Sequence, residues 1–127
     1  MSRVRSKDTG PEWTVRRMLH HLGYRYRLHV PGLPGKPDLV FPARRKVIFV
    51  HGCFWHGHEA CRSGTVRPQA NAAFWNAKLD RNKQRDAQHL AVLMGAGWSA
   101  LVVWSCELRD EETLRSRLVA FLGEPGA

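Results

Sequence analysis

Apolar residues near the start of the chain recur with the spacing of a helix. Pro11 and Glu12 suit the first turn of that helix, and Thr9 can cap it through a hydrogen bond to a backbone N–H. Gly23 stops the pattern, as glycine commonly does after a last helical turn. The sequence therefore predicts a helix that ends before Gly23 and buries one face, formed by Val15, Met18, Leu19 and Leu22.

Strand-like sequence follows. Residues 24–30 alternate basic and apolar side chains, which predicts a half-buried strand. Residues 31–37 contain three prolines and two glycines and predict a loop. Residues 38–41 and 46–50 are largely apolar, and they predict two further strands that are joined by a turn at residues 42–45.

The second half of the chain predicts two more helices and one strand. A basic helix is expected over residues 72–94, ended by nearby glycines, and a buried strand over residues 101–104. Asp110 would cap a closing helix that buries Leu114, Leu118, Phe121 and Leu122. The order α-β-β-β-α-β-α predicts an α/β fold with a mixed sheet flanked by helices. At 127 residues, we expect a single domain over residues 1–127.

The charge of the chain favours a polyanionic partner. Lys and Arg total 20 against 11 acidic residues, for a formal charge of +9. So large an excess in a small domain favours nucleic acid, with charge that serves only solubility as the alternative. No apolar run is long enough to cross a membrane, so no membrane partner is expected. Three cysteines and no secretory leader favour a reducing cytoplasm.

Residues 51–61 hold three histidines and two cysteines. Cys53, His58 and Cys61 have a spacing that suits one tetrahedral metal, and the remaining cysteine is Cys106. Thiolates combined with one imidazole select zinc, and four protein ligands make such a site structural. The alternative is that these cysteines are small, buried apolar residues. We expect a structural zinc site.

His51 and His56 have no duty in that zinc site, which makes them candidates for proton transfer. Asp38 opens a strand after Gly-Lys-Pro, where a carboxylate is well placed to hold Mg²⁺, although a lone Asp after Pro is more often a turn residue. Nucleases with such a Pro-Asp carry an acid-x-Lys motif on the next strand. Residues 48–50 supply neither group, so either the domain is inactive or other residues do that work, with the two histidines as the candidates.

Several motifs resemble the very short patch repair (Vsr) mismatch endonucleases. The string His-Gly-Cys-Phe-Trp-His at residues 51–56 is the most specific, and the similarity covers nearly the whole chain. The other matching stretches are residues 5–12, 37–38, 74–75, 82–86, 97–98 and 103–108. The resemblance implies the restriction-endonuclease-like α/β core of that family.

The resemblance also implies an activity. Vsr endonucleases use Mg²⁺ to nick one DNA strand on the 5′ side of the thymine in a T:G mismatch, which arises when 5-methylcytosine deaminates. Matched to this family, Asp38 is the Mg²⁺ carboxylate and Val50 lends the metal its backbone carbonyl. His51, His56 and Glu12 complete the active site. The zinc ligands match Cys53, His58, Cys61 and Cys106.

The partners and the location follow from the same resemblance. The substrate would be double-stranded DNA with a T:G mismatch, and other mismatch-repair proteins are further candidate partners. We expect a monomer in the bacterial cytoplasm, associated with the nucleoid.

Aromatic and basic residues give the expected DNA contacts. Phe54, Trp55 and Trp75 match the family's wedge beside the mismatch, with burial in the core as the alternative. Phosphate contacts are expected from Arg3, Arg5, Lys7, Lys78, Arg81 and Arg85, for which a solvated charged face is the alternative.

Two other functions stay open at this point. One is a restriction- or homing-type nuclease of the same fold, which would cut paired DNA. The other is a non-catalytic, zinc-stabilised DNA-binding module. Asp38, His51, His56 and Glu12 argue against the second alternative, because a binding module has no need of such groups.

Overall fold

The computed structural model describes residues 10–28, 30–52 and 71–123. Within these residues the chain forms three helices and three strands, together with two short 3-10 turns. The elements are α1 (Gly10–Leu22), β1 (Leu39–Phe41), β2 (Lys46–His51), α2 (Ala72–Gly95), β3 (Ser99–Trp104) and α3 (Glu111–Leu122). The predicted helices and the last three predicted strands are confirmed, with bounds shifted by one or two residues.

The three strands form one mixed sheet in the order β1-β2-β3. β1 and β2 are antiparallel around the 3-10 turn Pro42–Arg44, and Arg45 adopts a left-handed conformation with φ 54°. β3 pairs in parallel with β2, from Lys46 opposite Ser99 to His51 opposite Trp104. A parallel pair needs a crossover, and α2 lies within that connection. The mixed sheet that the element order predicts is therefore present.

The prediction of a strand over residues 24–30 is wrong. Among the described residues of this segment, only Arg27 bonds to the sheet, through two backbone hydrogen bonds with Val40 of 2.8 and 2.9 Å. The alternation itself is real, because Tyr24 and Tyr26 pack against the ring of Phe41 while Arg25 and Arg27 are exposed. A ladder does not form, since β1 is only three residues long. The element order within the described residues is therefore α-β-β-α-β-α.

Helices cover both faces of the sheet, as expected for a mixed sheet flanked by helices. On one face α1 and α3 enclose the larger core, which is formed by Val15, Met18, Leu19, Tyr24, Leu39, Phe41, Ile48, Val103, Leu114, Leu118 and Leu122. On the other face α2 packs its Leu93 against Val40, Val47 and Phe49. Neighbouring residues of β2 thus point to opposite helices, which is the period of two expected for a strand.

The ends of the last two helices are held by polar contacts. Asp110 caps α3, because its carboxylate accepts hydrogen bonds from the backbone N–H of Thr113 at 3.2 Å and from the Thr113 hydroxyl at 2.7 Å. These bonds lower the pKa of Asp110. Arg44 donates to the carbonyl of Leu122 at 2.6 Å, and Arg45 donates to that of Ala96 at 2.8 Å. The β1–β2 turn therefore places cations at two helix C-termini, where the helix dipole favours them.

In the described part of the chain, no helix combines the length and the apolarity that are needed to cross a membrane.

Candidate active site

A pair of carboxyl groups lies at the point where β2 leaves the sheet. Asp38 directly precedes β1, and its backbone N–H donates to the carbonyl of Ile48 at 3.0 Å. Its side-chain Oδ2 accepts a hydrogen bond from the backbone N–H of Val50 at 2.6 Å. Glu12, in the first turn of α1 and only 5% exposed, is hydrogen-bonded to the Asp38 carboxyl group. The structure thus brings together two acids that the resemblance assigns to the active site.

A buried arginine completes this acid pair. Arg16 follows Glu12 by one helical turn, and its Nη2 lies 3.4 Å from Glu12 Oε2. The Arg16 side chain is buried as fully as that of its partner, and its guanidinium stacks 5.3 Å from the ring centre of the exposed Trp13. Burying a charged group is costly unless it is paired, so Arg16 offsets one of the two negative charges. Arg16 is not among the predicted site residues, although an (i, i+4) Glu–Arg spacing on a helix is a recognisable signal.

The electrostatics of the pair favour a cation. Burial raises the pKa of Asp38 from 3.8 to about 7; the Val50 hydrogen bond opposes this rise, and the charge of Glu12 adds to it. A divalent cation would relieve both the burial cost and the repulsion. Among the described residues, no three His, Cys, Asp or Glu side chains group closely enough to hold a metal alone. Two carboxylates still suit Mg²⁺, which keeps several waters and completes its shell with substrate phosphate.

The raised pKa of Asp38 predicts how pH affects stability. In the folded protein without Mg²⁺ this carboxyl binds its proton more tightly than in the unfolded chain, so the free energy of unfolding falls as pH rises from about 4 to about 7. We therefore expect Asp38→Asn to raise Tm at pH 8, and to raise it less at pH 5. Thermal melts without Mg²⁺ and without chelator measure both values.

Asp110→Asn is the matched control for that experiment. The pKa of Asp110 is lowered by its bonds to Thr113, so its ionised form stabilises the folded state above pH 4. Its substitution should lower Tm at pH 8, with a sign opposite to that of Asp38→Asn. A lower Tm for Asp38→Asn at pH 8 would contradict the raised pKa of Asp38, because it would mean that the ionised carboxylate stabilises the folded protein.

His51 ends β2 and lies on the α2 side of the sheet. It is 7% exposed, and its ring is held between Phe49, at 5.6 Å, and Trp104, at 5.3 Å between ring centres. His51 Nδ1 lies 4.0 Å from Asp86 Oδ2 of α2. A carboxylate at this distance is close enough to influence the imidazole through its charge. Asp86 is a second residue that sequence analysis assigned no role, although it lies in a stretch that resembles the Vsr endonucleases.

The acid pair and the His51–Asp86 pair are joined through two consecutive residues. Val50 donates its N–H to Asp38, and the next residue is His51. Val50 packs into the core beside α1, whereas His51 faces α2, so the two pairs flank the end of β2 from opposite sides. The end of β2 therefore lies between the acid pair on its α1 side and the imidazole on its α2 side.

The remaining predicted site residues are only partly described. Lys78 of α2 is half-buried, and Arg81 and Arg85 of the same helix are exposed. Trp75 is half-buried near the start of α2 and packs edge-on at 5.4 Å against Phe74, which is 56% exposed. Outside the described residues lie His56, the zinc candidates Cys53, His58 and Cys61, the aromatics Phe54 and Trp55, and the basic residues Arg3, Arg5 and Lys7.

Cys106 is the described member of the predicted zinc set. It is half-buried in the 3-10 turn Ser105–Arg109, two residues after Trp104. Trp104 pairs with His51, so Cys106 lies just beyond the same edge of the sheet at which β2 ends. The stretch that contains the other three candidates begins two residues after His51 in the sequence.

A solved structure with the same fold identifies the architecture. The catalytic domain of the homing endonuclease I-Bth0305I superposes with a TM-score of 0.61 at 18% sequence identity, over 90% of this chain and 94% of that domain. At this identity the likeness concerns the fold alone. This chain therefore shares the α/β architecture of that domain.

The sequence comparisons define the family. A family model described as DNA mismatch endonuclease Vsr matches residues 1–62. The type II nicking enzyme V.XorIIP of Xanthomonas oryzae pv. oryzae is 52% identical over 118 residues, which cover 93% of this chain and 85% of that enzyme. DNA mismatch endonuclease Vsr of Escherichia coli is 39% identical over 114 residues, which cover 90% and 72%. This chain belongs to the Vsr family of DNA endonucleases.

Proposed function

We propose that this protein is a Mg²⁺-dependent endonuclease that nicks one strand of duplex DNA on the 5′ side of the thymine in a T:G mismatch. The observation that carries the proposal is the buried pair Asp38–Glu12 at the end of β2, next to Val50 and His51, in a chain of the Vsr family. Two of the relatives are named for DNA nicking or mismatch cleavage, which supports single-strand cleavage at a mismatch here.

The residues at the end of β2 divide the chemistry between them. Asp38, with the Val50 carbonyl and Glu12 beside it, would hold Mg²⁺, which when bound supplies positive charge to the scissile phosphate. The Val50 N–H fixes one carboxylate oxygen of Asp38, so the side chain stays oriented when the substrate binds. His51 would hold or move a proton near the phosphate, with Asp86 orienting its ring. His56 is proposed as the second histidine on the basis of the family match.

Mismatch recognition is proposed for the aromatic residues. A mismatched pair stacks poorly, so inserting rings beside it costs less than at a paired step. Phe74 and Trp75 form an edge-on ring pair near the start of α2, and Phe74 is largely exposed. An exposed aromatic is available for contact with bases, whereas a core residue is not. Phe54 and Trp55 are proposed as the rest of this wedge on the family match.

The direct test compares nicking of two duplexes. End-labelled duplexes that differ only in one T:G or C:G pair are incubated with the protein and Mg²⁺, and we expect nicking only beside the T:G pair. Trp75→Ala should reduce the ratio of T:G to C:G binding by about tenfold or more, because base–aromatic stacking contributes roughly 1–3 kcal/mol per base. Its salt dependence should be unchanged, since phosphate contacts are retained.

Trp98→Ala is the control for the Trp75 variant. Trp98 packs with the core beside α2 and lies under the Arg45 guanidinium, 4.8 Å from its ring centre. Its loss should lower Tm without changing the binding ratio. If Trp75→Ala behaves in the same way, the ring is a core residue. Equal nicking of both duplexes by the wild-type protein would instead favour a nuclease that cuts paired DNA.

We also propose that the chain binds one structural zinc through Cys53, His58, Cys61 and Cys106. Support comes from the ligand chemistry and from the location of Cys106 beyond the strand edge where β2 ends. Elemental analysis should find one zinc per chain. Cys106→Ser should lose zinc and lower Tm, because zinc binding contributes to folding, while Ser105→Ala in the same turn should keep the metal. A folded protein without zinc would refute the site.

A further inference from the structure

An open cleft of about 390 Å³ lies beside the β1–β2 turn, away from the residues assigned to catalysis. Its basic lining comes from two segments, the extended chain around Arg25 and Arg27 and the turn that contains Arg44. Tyr26 and Phe41 form the apolar part of the lining, with their ring centres 6.2 Å apart. Among the described residues, three arginines and no acidic residue line this arginine cleft.

The three arginines differ in how firmly they are held. Arg44 is half-buried, donates to the carbonyl of Leu122 and stacks 5.3 Å from the ring centre of Tyr24, so it has a structural task. Arg25 and Arg27 are exposed. Their backbone is fixed because the neighbouring tyrosines pack into the core and Arg27 bridges to Val40. A rigid backbone that carries outward guanidinium groups suits binding of a phosphate, for which Arg offers paired donors.

The distance from the acid pair fits a neighbouring part of the same substrate. Asp38 precedes β1 and Phe41 ends it, so the arginine cleft lies one three-residue strand away, roughly 10 Å along the sheet. One DNA strand covers that distance in about three nucleotides. When the scissile phosphate of a duplex lies at the acid pair, other backbone phosphates of the same duplex therefore lie close enough to reach the cleft.

We propose that the arginine cleft binds a backbone phosphate of duplex DNA outside the nicked step, through Arg25 and Arg27. The inference rests on the proposed function in one respect only, namely that DNA is the anion that binds in the cleft. Because phosphate binding needs neither a mismatch nor cleavage, it can be measured on fully paired DNA. If the protein did not nick T:G duplexes, binding of paired DNA by the cleft could still be measured and would still test the proposal.

The test compares two double variants that remove equal charge. Arg25→Gln with Arg27→Gln empties the cleft of its exposed guanidinium groups. Arg109→Gln with Arg115→Gln removes two exposed arginines that do not line it. Dissociation constants are measured for paired duplexes over a range of salt concentrations. We expect the cleft variant to raise Kd by about tenfold at low salt and to reduce the slope of log K against log salt by about 1 to 2.

Duplex length separates a flanking phosphate from a second DNA molecule. If the phosphate belongs to the same duplex, the loss should disappear when the paired DNA is trimmed until it is too short to reach both the acid pair and the arginine cleft. A loss that persists on trimmed DNA at high DNA concentration would place the phosphate on a second molecule, which still supports phosphate binding.

Two results would overturn the proposal. One is an equal loss of affinity in the cleft variant and the control variant, with Tm unchanged in both, since that would reduce the effect to overall charge. The other is a cleft variant that loses binding to polyglutamate but keeps its affinity for DNA, which would assign the cleft to an acidic protein segment.

Discussion

Asp38→Ala is expected to reduce nicking of a T:G duplex by about 10³-fold or more, while the affinity for that duplex in the absence of Mg²⁺ stays equal or improves. Each factor of ten in rate corresponds to about 1.4 kcal/mol, and a metal that neutralises charge on the transferred phosphate contributes several kcal/mol. The affinity should not fall, because a buried carboxylate repels a DNA phosphate and its removal lowers that repulsion. Single-turnover nicking and binding are measured on the same duplex.

The architecture around Asp38 explains why other residues should not replace it. Its Oδ2 is fixed by the Val50 N–H at 2.6 Å, and Glu12 meets it from α1. Glu12 is paired with Arg16 at 3.4 Å, and the charge of Arg16 also lowers the pKa of Asp38, but by less than burial raises it. Asp80→Ala, an exposed acid of α2, is the matched control and should nick as the wild type does. Retained nicking by Asp38→Ala would remove the acid pair from the mechanism.

The helices could be predicted from the sequence because burial repeats with the period of a helix. Val15 and Leu19 are fully buried on one face of α1, and Leu114, Leu118 and Leu122 do the same on α3. The strand expected over residues 24–30 failed for a physical reason. Alternation shows which side chains face the core, and it is satisfied here by Tyr24 and Tyr26 without a ladder of backbone hydrogen bonds.

The site was predictable to a different degree. The pairing of Asp38 with Glu12 joins α1 to the end of β2, and no periodicity in the sequence encodes a contact between such distant segments. The family resemblance supplied both residues, but not Arg16 or Asp86, which act through the geometry of their partners. The arginine cleft was missed because Arg25 and Arg44 meet only after the chain folds.

His51→Ala is expected to slow nicking by about 10²–10⁴-fold, the usual contribution of a general acid or base, with a much smaller effect on DNA affinity. His51 is the imidazole of the described chain that directly follows the residue bonded to Asp38. Packing between Phe49 and Trp104 limits its motion, and Asp86 approaches its Nδ1 to 4.0 Å. Asp86→Asn should give a smaller loss of about tenfold, because it keeps the imidazole and removes only the charge that orients it.

Two further variants make the His51 result interpretable. His51→Gln keeps much of the buried volume and a polar side chain, so it separates loss of proton transfer from a cavity in the sheet edge. His89→Ala is the spatial control, since His89 of α2 lines the same small cavity as His51 and Asp86, and this variant should nick at the wild-type rate. If His51→Gln and His51→Ala nick equally slowly, and the Tm of both variants and of His89→Ala equals that of the wild type, the imidazole itself carries the chemistry. If His51→Gln nicks at the wild-type rate, the ring serves packing alone, and the proton transfer would have to come from His56.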